Sequence, residues 1–403
     1  MRPGCGIGES TLPADSLACA GADIGGWTLR EIVVDADGHV LEPPDLWEKN
    51  LPASLRDRGI RLRWNPDTGY DERFVEDRMY SDRGVAGLGN AGQSYRDHGK
   101  GTHYEDLNPA GFDPAERVKV LDTEGIDMAI LYPGLGLALG GIKDPGLAAA
   151  SCRVYNDWLA DFVAQAPDRL RGVGALPVQN PKAALTEITH IVELGLCGAF
   201  VRPNPTPTSA LHGAELDPVW SALEETGVTL AFHPAGHQDV MGAARGLSAC
   251  MAPGTHHPNI LMIDDYVTLS NLVYGGVLER HPDLRVAILE SGGGWIGHWI
   301  DRMDEFYESY EWCTPGLSNK PSDYFRRQCV VSFDPGEHTM PMLASFVGAD
   351  TFVWASDFPH NDAKYPGVVD ELRQHTQDME PDARAKLLGL NALRLYQIDS
   401  QAS

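Results

Sequence analysis

The chain contains no run of about 18 or more apolar residues, so a membrane-spanning helix is not expected. Its seven cysteines, Cys5, Cys19, Cys152, Cys197, Cys250, Cys313 and Cys329, are scattered, odd in number and form no CxxC pair. That argues against a disulfide framework and a cysteine zinc site, and it points to a reducing, cytoplasmic setting. Positive charge is scarce: 32 Lys and Arg stand against 57 Asp and Glu, a formal net charge of −25. Such a chain repels nucleic acid and anionic membrane surfaces, so neither is an expected partner. No GxGxxG opens the first strand-to-helix turn, and the Gly292-Gly293-Gly294 run comes late, so a dinucleotide-binding reading is weak. Residues 1–28 are rich in Gly, Ala and Ser and lack a continuous apolar core. They are expected to be a disordered extension rather than a secretory signal, leaving 29–399 as the folded domain.

What is present is an alternation of strand and helix patterns along 403 residues, 43% of them hydrophobic. Extended apolar runs predict strands over 32–35, 128–132, 171–176, 197–202, 229–233, 286–290, 329–333 and 351–355. Amphipathic stretches between them predict helices over 114–124, 146–166, 181–194, 216–226, 266–280, 295–312 and 340–348, with a last one over 381–396. Eight strands, each followed by a helix, are the arithmetic of a (β/α)8 TIM barrel. An open doubly wound sheet is the alternative. Residues 41–112 interrupt the alternation after the first strand with a long stretch of weak periodicity. In a barrel such a segment lies at the mouth, so it is expected to be a lid-like insertion. A second long loop, 237–263, follows the fifth strand.

Three strand ends carry metal-binding chemistry. Asp37 and His39 follow the first strand two residues apart, and extended backbone points i and i+2 the same way. Carboxylate oxygen and imidazole nitrogen together suit Zn2+ or Mn2+. Taken alone, Asp37 is equally suited to cap the turn at Gly38. His233 ends the fifth strand before Pro234, where a structural histidine is the competing reading. Asp357 ends the eighth strand, which neighbours the first in a barrel. It can ligate a metal and take a proton from bound water, or it can simply cap a helix. His360 is placed to support it. Glu290 ends the sixth strand as a ligand or acid/base group, and the glycines after it offer amides to an anion at the next helix start. Trp295 and His298 are one turn apart and can line a pocket, with a core role for Trp295 as the alternative. Arg202 ends the fourth strand with a fork suited to a substrate carboxylate or to a salt bridge at the mouth.

Taken together, DxH, HP and SDFPH at three strand ends, with the stretch from the glycine run to Arg302-Met303-Asp304, resemble the amidohydrolase-related family. The similarity is to the branch of aminocarboxymuconate-semialdehyde decarboxylase and the aromatic-acid decarboxylases, and it spans about residues 33–396. The resemblance implies a metal-dependent TIM barrel, one divalent ion (zinc, with manganese as the alternative), and a homodimer. It implies His39, His233 and Asp357 as ligands, with Asp37 where the family has His or Glu. Ser291 stands where the family often has a catalytic His, so its neighbour Glu290 is expected to supply that function. A Glu there also resembles members that hydrolyse carbon–carbon bonds.

The leading expectation is therefore a metal-dependent hydrolase of a small carboxylated or aromatic substrate, acting on an amide or C–C bond by metal-activated water. Asp357 takes the proton, Glu290 assists and Arg202 holds an anionic group. A nonoxidative decarboxylase of an aromatic or muconate-type acid is the alternative on the same ligands. A catalytically inactive binding barrel is the third.

Overall fold

Met128–Tyr132 and Cys329–Phe333 are buried along their whole length, as expected of strands covered on both faces. The computed structural model describes residues 31–81, 85, 87–92, 101–203, 210–235, 257–310, 312 and 316–399. The expected extension 1–28 and residues 237–256 of the second long loop lie outside the described residues. Ile32–Ser403 form one compact unit.

Among the described residues, eleven strands fall in chain order. They are β1 (Val34–His39), β2 (Arg61–Asn65), β3 (Tyr70–Val75), β4 (Arg78–Ser81), β5 (Met128–Tyr132), β6 (Leu170–Ala175), β7 (Gly198–Val201), β8 (Thr229–Phe232), β9 (Val286–Ile288), β10 (Cys329–Phe333) and β11 (Phe352–Trp354). Eight of them pair in parallel in the order β1-β5-β6-β7-β8-β9-β10-β11, and the intervening helices make the (β/α)8 TIM barrel. Several helices start on a side-chain cap followed by proline. Asp113 accepts from the amides of Ala115 and Glu116, Asp144 from those of Gly146 and Leu147, and Asn180 from that of Ala183. Gly125 and Gly227 end two helices at φ 75° and 73°, where a side chain would be strained.

The barrel closes where β11 meets β1. There, single hydrogen bonds join the strand ends: Asp357 N donates to Asp37 O at 3.0 Å, and His39 N donates to Phe358 O at 2.8 Å. The candidate ligands therefore lie on the seam itself.

Three differences from the sequence expectation have physical reasons. First, β1 runs to His39 instead of ending at 35, because buried Asp37 and His39 continue the extended backbone where an apolar pattern gives no signal. Second, the predicted last helix is three pieces, Pro381–Ala385, a π turn at Lys386–Leu390, and Asn391–Leu395. The π turn presses against the start of β1, since a Cβ on Gly389 would stand 2.6 Å from the Ile32 carbonyl. Third, the insertion holds an antiparallel sheet, β2-β3-β4, in register from Arg61↔Phe74 to Asn65↔Tyr70. Its face alternation buries Arg73 and Val75, and a charged residue at an inward position hides the strand period. No helix among the described residues is long and apolar enough to cross a membrane.

At the foot of the last barrel strand, buried Asn391 donates to the carbonyls of Ala349 and Phe352, each at 2.7 Å. Asn391→Ala strands both acceptors and is expected to cost about 2–4 kcal/mol. It should lower the urea midpoint at unchanged slope; a loss under about 0.5 kcal/mol would contradict this role.

Candidate metal centre

β1 carries Asp35, Asp37 and His39, buried at 1%, 1% and 0% exposure, and its register against β5 shifts between Asp35 and Gly38. His233 follows β8 and is also fully buried. The Oδ1 of Asp37 lies 3.7 Å from His39 Nε2 and 3.5 Å from His233 Nε2. Asp357, after β11, sets Oδ1 3.2 Å from His39 Nε2 and 2.7 Å from His360 Nδ1. Glu290, after β9, sets Oε2 3.2 Å from His233 Nε2. The His39 and His233 rings meet edge to face at 4.8 Å, and His360 stacks on His39 at 3.9 Å. Ligand atoms of Asp37, His39 and His233 all lie within 4.8 Å of one another, as do those of His39, Asp357 and His360.

The tautomers follow from the partners. His39 Nδ1 lies 2.8 Å from the Pro133 carbonyl and His233 Nδ1 2.7 Å from that of Pro234. A carbonyl only accepts, so each Nδ1 carries the proton and each Nε2 turns a lone pair to the centre. Both Asp37 oxygens and both Nε2 atoms are buried without a hydrogen-bond partner. Four orphaned buried acceptors around one point are costly unless a cation completes them. The oxygen and imidazole donor set thus fits one divalent ion.

The electrostatics agree. Burial, then the facing His360, pushes His39 down to about 4, and burial, then His39, pushes His233 well below its usual range. Both stay neutral, as ligating imidazoles must be. Burial followed by the charge of Asp357 pushes Asp37 and Glu290 well above the carboxylate range. Asp357 goes the other way: burial would raise it, but the facing His360 outweighs this and holds it low. Glu290 and Asp357 also adopt positive φ, 50° and 57°. That left-handed backbone costs on the order of 1 kcal/mol in a residue with a side chain, and it aims both carboxyls at the mouth.

The other residues singled out in the sequence take different places. The anion at the helix start after the glycine run is the protein's own. Glu337 accepts from Gly293 N at 2.9 and 3.1 Å and from Gly294 N at 3.0 Å, so those amides are not open to a substrate. Trp295 is buried, donating from Nε1 to Ser291 Oγ at 3.2 Å and packing edge-on against Tyr266. His298 is exposed on the outer side of the helix Gly294–Tyr310 and does not join the cluster. Arg202 is buried and donates to Tyr80 Oη at 3.3 Å, whose hydroxyl donates to Ala235 O. It also faces Asp264, whose carboxyl burial pushes up to about 6 against the pull of Arg202.

The sequence reading missed Arg73 of the inserted sheet. It is 6% exposed, lies over the Tyr80 ring at 5.0 Å, and its charge bears on His360. Its Nε and Nη1 have no hydrogen-bond partner. The signal available was a lone arginine at one of the alternating inward positions of 70–75.

A family model described as amidohydrolase matches residues 34–398. The chain is 23% identical over 303 residues to the 2-amino-3-carboxymuconate-6-semialdehyde decarboxylase of Dictyostelium discoideum, covering 74% of this chain and 80% of that one. Among solved structures it is similar to an amidohydrolase from Mycobacterium avium subsp. paratuberculosis, with TM-score 0.76, 21% identity, and coverage of 92% and 100%. It is also similar to a dihydroxybenzoic acid decarboxylase from Polaromonas sp. JS666, solved with manganese and the inhibitor 2-nitroresorcinol. There the TM-score is 0.61, the identity 20%, and the coverage 91% and 97%.

Because Asp37 is raised, a cation must displace its proton to bind, and its apparent affinity must rise with pH. Calorimetric titration of chelator-stripped protein with Mn2+ should show affinity increasing between pH 6 and 8, by up to about tenfold per pH unit for each proton released. An affinity flat over that range would contradict the assignment of Asp37 as a ligand.

Proposed function

The chain belongs to the amidohydrolase family, and on that premise we propose that it is a metal-dependent nonoxidative decarboxylase of an aromatic or muconate-type acid. The observation that carries this reading is the pairing of the orphaned cluster with Arg73, a buried guanidinium with two open donors. One face suits a divalent ion and the other suits an anionic group of the substrate. The named decarboxylase relatives support it. The mixed set of two carboxylates and two imidazoles suits manganese, which a similar solved structure holds, with zinc as the alternative.

His39, His233, Asp357 and Asp37 would hold the ion. When bound, it supplies a fixed positive charge that anchors a substrate carboxylate or a neighbouring oxygen. Arg73 binds a second anionic or phenolic oxygen and fixes the orientation of the ring. Arg202, engaged with Tyr80 and Asp264, lines the mouth from the β7 side. Glu290, held protonated by burial, donates its proton to the carbon bearing the carboxylate. A C–H bond forms there, the C–C bond to the carboxylate breaks, and its electron pair returns to the ring as carbon dioxide leaves. Glu290 remains as a carboxylate and regains a proton from solvent. Asp357, held ionised beside His360, keeps its charge through the cycle. Such a split between neighbouring carboxyls is how one site separates acid from base roles.

The hydrolase reading uses the same ligands with water as nucleophile; the relatives favour decarboxylation. An inactive binding barrel leaves the strained backbone at Glu290 and Asp357 and the unpartnered carboxyl of Asp37 without a purpose. The inserted sheet β2-β3-β4, which delivers Arg73, acts in this reading as a wall that excludes water from the ring.

The test is carbon dioxide release from a panel of hydroxybenzoates and muconate-type acids with the Mn2+-loaded enzyme. Glu290→Gln should lower kcat by about 10²- to 10⁴-fold, and Asp357→Asn should abolish turnover. Arg73→Met should mainly raise KM, by about tenfold or more. Turnover of amide or C–C substrates without released carbon dioxide would overturn the decarboxylase reading in favour of the hydrolase.

A further inference from the structure

Beneath the metal centre the barrel seam is held by a second set of buried groups that bond the backbone of the candidate ligands and their neighbours. Asp35 lies two residues before Asp37 on β1 and reaches across to the end of β11. It accepts from Ser356 N at 3.0 Å and Ser356 Oγ at 2.6 Å, and from Asp37 N at 3.3 Å. Ser356 Oγ in turn accepts from Phe358 N at 3.1 Å. From the outer helix Pro114–Glu124, Arg117 enters the same gap. Its Nη1 donates to His39 O at 2.8 Å and its Nη2 to Phe358 O at 3.2 Å, while its guanidinium lies 4.8 Å over the Phe358 ring. Gly38 makes room for this: a Cβ there would stand 2.5 Å from Arg117 Nη2 and 2.9 Å from Asp35 Oδ2. Asp35, Arg117 and Ser356 are 1%, 1% and 4% exposed.

The placement is specific. Arg117 grips the carbonyls of His39 and of Phe358, the residue after Asp357. Asp35 grips the amides of Asp37 and of Ser356, the residue before Asp357. Each contact is therefore on, or one residue from, a candidate ligand, and each joins one side of the seam to the other or braces it. We propose that Arg117, Asp35 and Ser356 are positioning residues, a clasp that fixes the separation of the β1 and β11 ligands and thereby sets the affinity of the centre for its cation. The inference rests on the metal-centre reading above and adds residues that this reading does not use. Outer groups that orient ligands are worth about 10- to 100-fold in metal affinity.

The experiment compares Mn2+ affinity, by competition with a chelator, and the Mn2+ electron paramagnetic resonance spectrum across three folded variants and the parent chain. Arg117→Lys keeps the charge but loses the fork that spans two carbonyls. Ser356→Ala removes one hydroxyl and leaves the Asp35–Ser356 amide bond. Asn391→Ala is the control, since it destabilises the foot of the same strand through the carbonyls of Ala349 and Phe352, which the clasp does not touch. The expected result is affinity weakened about 10- to 100-fold in Arg117→Lys and severalfold in Ser356→Ala, with altered spectra, while Asn391→Ala binds within about twofold of the parent despite its lower stability. If Arg117→Lys does not fold, Ser356→Ala decides. Parent-like affinity and spectrum in the folded clasp variants, or equal weakening in Asn391→Ala, would overturn the proposal and leave the metal centre standing. A parent chain that binds neither Mn2+ nor Zn2+ would instead overturn the metal-centre reading, and the clasp with it.

Discussion

A carboxylate at 1% exposure with neither oxygen hydrogen-bonded is among the costliest things a fold can bury, and Asp37 is in that position. Its neighbours sharpen the constraint. His39 and His233 turn bare Nε2 atoms to it, and Glu290 and Asp357 crowd the same mouth. The protons on the two Nδ1 atoms are committed to backbone carbonyls, so neither imidazole can rescue the carboxylates by donating. A single divalent charge at the centre relieves all of these costs together, because each orphaned atom is an acceptor. The left-handed backbones of Glu290 and Asp357 belong to the same pattern, since local strain is kept where the surroundings impose it and function uses it.

The barrel architecture is what allows so dense a cluster. Parallel strands present their C-terminal ends at one face, so residues separated by nearly the length of the chain meet there. The first and last strands meet at the seam, and His39 and Asp357 approach to 3.2 Å across it. Backbone hydrogen bonds at the seam carry the ligands with them: Asp357 N to Asp37 O and His39 N to Phe358 O couple one ligand strand to the other. Small changes in how the barrel closes would therefore appear directly as changes in ligand separation. The inserted sheet adds the remaining component, a buried arginine that no barrel strand supplies.

Much of this was legible in the sequence, for physical reasons that also mark its limits. All eight barrel strands carry buried apolar runs, and strand ends followed by Asp, His or Glu identify the mouth because a barrel offers polar groups only there. Asp37, His39, His233, Asp357 and Glu290 were found this way, and the structure brings them together. His298 could not be sorted by helical spacing, because one turn from Trp295 can point inward or outward, and here it points outward. The glycine-run amides looked open because their partner, Glu337, lies more than 40 residues away in a different loop. Arg73 and Arg117 were invisible for a related reason. A buried arginine on a strand or helix reads as solvent-facing charge until tertiary partners are known, and those of Arg117 are two carbonyls from opposite ends of the chain.

The central claim is that the buried acceptors at the seam exist to hold one divalent cation. Anomalous diffraction at the manganese edge, from crystals grown with Mn2+, tests it most directly. The account predicts a single strong peak about 2.0–2.3 Å from His39 Nε2 and His233 Nε2 and from oxygens of Asp37 and Asp357. Well-ordered crystals with no peak there, or with a peak only at surface carboxylates, would contradict it.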